Sequence, residues 1–326
     1  MQGDLLDAAG LRPSETPYAA IPIGPGLTLR RYDGGGGSGP VVLIVPAPIK
    51  RPYIWDLAPH ISAVRRCIDH GARVFLIDWQ PAPPHYGLAE YAERLILDSL
   101  DAAGAERVVL LAHSLGGLFA AIFAALHPER VQGLGLLTVP LRFGDATPVF
   151  RAMVAQLVVE ELPDSLPGSF LSAASAHAAP AAFGSERLLD AVRSAADPVA
   201  LRTHCLVERW ALDEFALPRQ LVAEIATQIV NEDRFMRGLL ELGGRAALPS
   251  RISASLLCVI DPRCPLVPPG SALPFLDAAA SREKIVLRYE GDVGVALQHL
   301  GPLVGRRAHE DLWPQIVRWI ARTWQR

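Results

Sequence analysis

Apolar runs of four to seven residues recur along the chain at 41–45, 74–79, 108–111, 131–137 and 255–260, with a more polar one at 284–289. Runs this continuous suit strands covered on both faces. Helical sequence lies between them, at about 57–70, at about 88–104, and at 118–126, where it stops at His127-Pro128. Strands alternating with helices at this spacing predict a mostly parallel sheet flanked by helices, with right-handed crossovers. Near the C-terminus, Leu312, Ile316, Ile320 and Trp324 recur every four residues and give a last helix one apolar face. The stretch 27–32 alternates weakly and reads as an early edge strand.

The rhythm breaks between about 141 and 249. That stretch holds Ala-rich amphipathic helical sequence, interrupted by Pro163, Pro167, Pro180 and Pro198, and no strong strand. The expected organisation is a lead-in over 1–40 ending in a flexible Gly/Ser run at 34–39, a core of 41–140 and 250–326, and a helical insertion of 141–249 before the last two strands. An insertion at that point would form a cap. No internal repeat is evident.

Composition narrows the class. The chain of 326 residues is 50% hydrophobic and 20% charged, enough for a large buried core. A net charge of −3 without a long basic run argues against a nucleic-acid footprint. The four cysteines, Cys67, Cys205, Cys258 and Cys264, show no metal-type spacing, which suits a reduced, cytoplasmic protein. Met1-Gln2-Gly3-Asp4 lacks the features of a signal peptide, and no transmembrane segment is expected. Neither metal nor cofactor is implied.

The chemistry centres on Ala112-His113-Ser114-Leu115-Gly116-Gly117, with a strand pattern before it and a helix pattern after it. A strand, a tight turn carrying Ser and then a helix is the setting of a nucleophile elbow. Gly116 is expected where a side chain would collide with the neighbouring strand; Ala112 stands where Gly is usual. A serine hydroxyl needs a base, and His299, between the last strand and the last helix, is the candidate. His60, His70, His127, His177 and His309 read as solvated; His85 and His204 are weak alternatives. His113 is expected to point to the opposite side of its strand.

The acid is less clear. Asp261 is the nearest carboxylate in the loop Asp261-Pro262-Arg263-Cys264-Pro265-Leu266-Val267-Pro268, with a turn role as its alternative, and Asp145 is a second candidate. For the oxyanion hole, Leu115 supplies one amide by position. Pro46 and Pro48 have no N–H, so the second falls to Ala47 or Ile49, and Ile49, farther along the turn, is preferred. Lys50 and Arg51 read as solvated surface charges.

The segments VVLIVPAPIKRPYIWD (41–56), VFLIDW (74–79) and NEDRFMRGLLELGG (231–244) resemble polyhydroxyalkanoate synthases, and HLGPLVGRRA resembles the His-bearing loop of related α/β-hydrolases. The resemblance covers most of 41–325. It implies an α/β-hydrolase fold with a helical cap and a site for hydroxyacyl esters or thioesters. Two departures matter: those synthases use a Cys nucleophile where this chain has Ser114, and their acid stands where it has Cys264. A Ser acyl ester next to water ends naturally in hydrolysis. The expectation is therefore a serine carboxylic ester hydrolase, with Ser114, His299 and Asp261 catalytic and Leu115 and Ile49 as oxyanion donors. A hydroxyacyl transferase and a weakly active polymer-binding homologue are the alternatives. The expected partner is a small or oligomeric ester, with a polymer-granule surface and a homodimer as further options.

Overall fold

A computed structural model describes residues 2–8, 10–32 and 39–325. The Gly/Ser run at 34–39 lies outside them except for Gly39. Eight strands form one sheet: β1 Ala19–Gly24, β2 Leu27–Tyr32, β3 Val41–Val45, β4 Arg73–Trp79, β5 Val108–His113, β6 Val131–Leu137, β7 Ser255–Ile260 and β8 Lys284–Arg288. Their order is β1-β2-β4-β3-β5-β6-β7-β8. All pairs from β4 to β8 are parallel, while β1–β2 and β2–β4 are antiparallel.

The lead-in thus does more than expected: it adds a hairpin to the sheet, and β1 rather than β2 forms the edge. Pro22 sits within β1, where an edge strand can forgo a ladder donor.

β3 and β5 are buried along their whole length. Val41, Leu43 and Val45 of β3 face one apolar layer and Val42 and Ile44 the other, as the two-residue period of a strand requires. The first layer holds α2 (Leu95–Ala102) and α3 (Leu115–Leu126); the second holds α1 (Ala63–Asp69) and the C-terminal helix Trp313–Trp324. Residues 116–126 of α3 are all buried, consistent with a helix apolar on every side. On β6, a Cβ at Gly133 or Gly135 would crowd the Trp319 ring. The strand leaves that space to the indole, whose Nε1–H donates to Ser255 Oγ at 2.8 Å.

Between β6 and β7 the chain forms α4 (Pro148–Val154), α5 (Gly168–Ala178), α6 (Glu186–Ser194), α7 (Pro198–Ala211) and a further helical stretch, Arg219–Glu224 running on into Ile225–Asn231, with short turns and two-residue strand pairs. Strand order reverses at β3, which has β4 on one side and β5 on the other. In open α/β sheets the crevice at the carboxyl ends of such strands is where ligands bind. Ser114 follows β5, and the turn at 46–49 follows β3.

Candidate active site

Ser114 has φ 52° and ψ −133°, a conformation that non-glycine residues adopt only under constraint. Its neighbours supply the constraint. Its amide donates to Leu137 O at 3.4 Å, and its carbonyl accepts from Gly117 N at 2.9 Å. A Cβ on Gly116 would fall on the backbone carbonyls of Val45 and Pro46, so the turn fits against β3 only with glycine there. Ala112 pairs with Val45 in register and is fully buried; its single carbon is accommodated. Leu115 is the first residue of α3, so its amide belongs to the positive end of that helix.

His299 lies in the loop after β8 and is 7% exposed. Its carbonyl accepts from His113 Nε2 at 2.9 Å and from Thr138 Oγ1 at 3.3 Å. The two imidazoles have centroids 4.6 Å apart. The expectation that His113 points away from the site is therefore corrected. The loop from β8 comes over the sheet on the His113 side, and the ring meets it there. Burial pushes His113 down to about 4, so the ring is neutral and holds the loop as a plain donor. Burial, aided by His113, also holds His299 well below its usual value of 6.5.

The group at His299 Nδ1 is Cys264, with Sγ at 3.7 Å. Asp261, the expected acid, is placed otherwise. Its Oδ1 accepts the Arg263 amide at 2.9 Å and its Oδ2 is buried without a hydrogen-bond partner. With Cys264 N donating to Asp261 O at 3.1 Å, the residue takes the turn role: it shapes the loop that presents Cys264. Burial raises its carboxyl above the ordinary value. Asp145 is exposed and paired with Arg151 at 2.5 Å. Cys264 is 3% exposed and its thiol is pushed up to about 11 by burial.

A carboxylate in the insertion, with no signal in the sequence, holds the loop after β8 that carries His299. Asp190 of α6 accepts Gly294 N at 2.9 Å, Ala296 N at 2.8 Å and His204 Nδ1 at 2.7 Å. The two amides converge because Gly294 and Ala296 both have positive φ, 87° and 57°. His204 is buried beside it.

The turn after β3 is fixed from both sides. Trp79 Nε1 donates to Pro46 O at 2.8 Å. Phe215 N donates to Ile49 O at 2.8 Å, and Arg51 N donates to Asp213 O at 3.3 Å. Lys50 and Arg51, expected to be solvated, are engaged. Lys50 Nζ bonds Glu214 at 2.9 Å and Ser172 at 3.3 Å; the Arg51 guanidinium lies over the Phe215 ring, 4.0 Å from its centroid. Ala47 and Ile49 both line the cavity described next.

That cavity measures about 350 Å3 and brings Ser114, His113 and His299 together with Ile49 from the core and Phe150, Met153, Leu171, Phe183, Val207 and Trp210 from the insertion. It is mostly apolar, with Lys50, Glu214 and Ser172 as a polar patch. Of the sequence candidates, Ser114 and His299 share this cavity with the Ile49 turn, while Asp261 and Asp145 are not among its lining residues.

The sheet order, the strained serine after β5 and the histidine loop after β8 define an α/β-hydrolase fold. Residues 40–158 match the family model described as alpha/beta hydrolase fold. An esterase from Thermogutta terrifontis superposes with a TM-score of 0.59 at 19% identity, covering 94% of this chain and 99% of that one. Within this fold the chain is similar to poly(3-hydroxyalkanoate) polymerase subunits. It is 28% identical over 292 residues to a poly(3-hydroxyalkanoate) polymerase subunit of Haloferax mediterranei, covering 86% of this chain and 58% of that protein's length. To the corresponding subunit of Allochromatium vinosum it is 25% identical over 331 residues, covering 97% and 92%.

Proposed function

We propose that the chain is a serine hydrolase acting on apolar carboxylic esters, hydroxyalkanoate esters and their short oligomers among them. The observation that carries this reading is Ser114, held in a strained elbow and sharing one apolar cavity with His299. The Ser114 hydroxyl attacks the ester carbonyl while His299 Nε2 takes its proton, and the tetrahedral oxyanion is met by the Leu115 and Ile49 amides. Collapse expels the alcohol, which leaves with the proton from His299. Water then attacks the acyl-serine with the same base, and the acid is released. The free cysteines suit a reducing compartment such as the cytoplasm.

A transferase reading also has support, because the relatives above are polymerase subunits. There the acyl group would pass to a hydroxyl instead of water. The nucleophile favours hydrolysis: an oxygen ester is a poorer donor for repeated acyl exchange than a thioester.

Hydrolysis of p-nitrophenyl butyrate by the parent and by Ser114→Ala tests the reading. The parent is expected to turn over, and the variant to retain only about 1 part in 10³ or less of its kcat. Equal rates would overturn the reading. Incubation with a 3-hydroxyacyl thioester separates the two outcomes, since free acid marks the hydrolase and chain growth the transferase.

A further inference from the structure

An imidazole that accepts a serine proton needs its two nitrogens in different states. One must carry a lone pair toward the serine, and the other must carry a hydrogen and find an acceptor for it. At His299 Nδ1 that partner is Cys264 Sγ. The loop after β7 turns the sulfur into an acceptor: Val267 N donates to it at 3.4 Å. The side chain is packed with Ala182, Leu266 and Val267, away from solvent.

We infer that Cys264 is the positioning residue of His299: its sulfur accepts the Nδ1 hydrogen in the place of a carboxylate and so leaves Nε2 free for the Ser114 proton. The inference rests on the Ser114–His299 reading above.

A carboxylate there would favour the imidazolium, whereas a neutral thiol does not. Among the described residues no other group takes over that task. His113 on β5 is neutral, Lys50 and Arg187 are paired with Glu214 and Glu208, Arg51 lies 4.0 Å from Asp78, Asp190 is committed to loop amides and His204, and Asp261 to the Arg263 amide. The competent form of His299 is the neutral ring, so kcat/KM falls as pH drops through the lowered value of the folded protein. The acid limb of the parent's pH profile is expected below pH 6.5, the ordinary imidazole value.

The test is the ester assay across pH with Cys264→Ala and Cys264→Asp, each checked for folding by circular dichroism. The alanine variant is expected to lose about tenfold in kcat/KM. The aspartate variant is expected to gain at least about tenfold over the parent and to move the acid limb upward toward neutrality. Nitrogen NMR of the parent's ring, assigned with His299→Gln, is expected to place the hydrogen of the neutral imidazole on Nδ1, and needs no folded variant at 264. Identical rates and acid limbs in parent, alanine and aspartate enzymes overturn the inference and leave the serine chemistry standing. So does a hydrogen found on Nε2, or an Asp261→Asn variant that is inactive while Cys264→Ala is not. Activity that survives Ser114→Ala removes the underlying reading, and the inference with it.

Discussion

At the scale of single residues, the site is a set of close approaches between backbone segments. Gly116 is the tightest. A methyl group there meets the carbonyls of Val45 and Pro46, which cannot rotate aside as a side chain can. Gly116→Ala is therefore expected to destabilise the fold by about 1–3 kcal/mol and to displace the Ser114 turn. Urea unfolding and the ester assay together check it, the prediction failing if both match the parent. This part of the site was legible, because a strand, a Ser turn and a helix leave few geometries open. The partner of His299 was not. Which of Asp261 and Cys264 reaches the ring depends on a three-residue turn, and the turn consumes the aspartate in its own hydrogen bonding. His113 was missed for a related reason. Strand alternation fixes the side a residue faces, but not which distant loop arrives there.

Among the elements, the strands buried on both faces were the readable ones. β3, β6 and β7 lie where their apolar runs predict them. β1 was hidden because it is half-exposed and interrupted by Pro22, so it carries neither a continuous run nor a strong propensity. His309 read as solvated, yet it is buried, stacked on Trp313 and bonded through Nε2 to Leu303 O at 2.7 Å; only tertiary packing could reveal that. The most consequential contact between elements is α6 on the histidine loop, through Asp190. Asp190→Ala leaves the amides of Gly294 and Ala296 and the ring of His204 without their partner. Unsatisfied buried groups cost about 1–3 kcal/mol each, so lower thermal stability is expected together with a fall in kcat of about tenfold. On the proposed reading the drop in kcat is expected to exceed any change in KM, because Asp190 holds the loop that carries His299 and does not itself line the cavity. A change confined to KM would contradict this.

Over the whole molecule, the sheet core and the helical insertion meet at the cavity, and on the proposed reading this meeting sets substrate choice. Both sides contribute to one cavity of about 350 Å3, near the lower end of the roughly 300–1,000 Å3 typical of ligand sites. It suits one short acyl unit or a small oligomer end better than a long extended chain. Across p-nitrophenyl esters from acetate to laurate, kcat/KM is expected to peak at short to medium chains and to decline by laurate. Replacing Phe150 or Met153 with Ala is expected to move the peak toward longer chains. A profile that keeps rising with length would show that the acyl group lies elsewhere.

The pairing of residues 49–51 with 213–215 has a consequence for timing. The backbone of this turn, from which the proposed mechanism takes an oxyanion amide, is hydrogen-bonded to the insertion through Ile49 O and Arg51 N, and Lys50 adds an ion pair to Glu214. An insertion that swings away to admit substrate must either break this short ladder or drag the turn with it. In both cases, on the proposed reading, an open form would carry the Ile49 amide out of its place beside Ser114. On the proposed reading, admission of substrate and reaction would then fall at separate moments of the cycle.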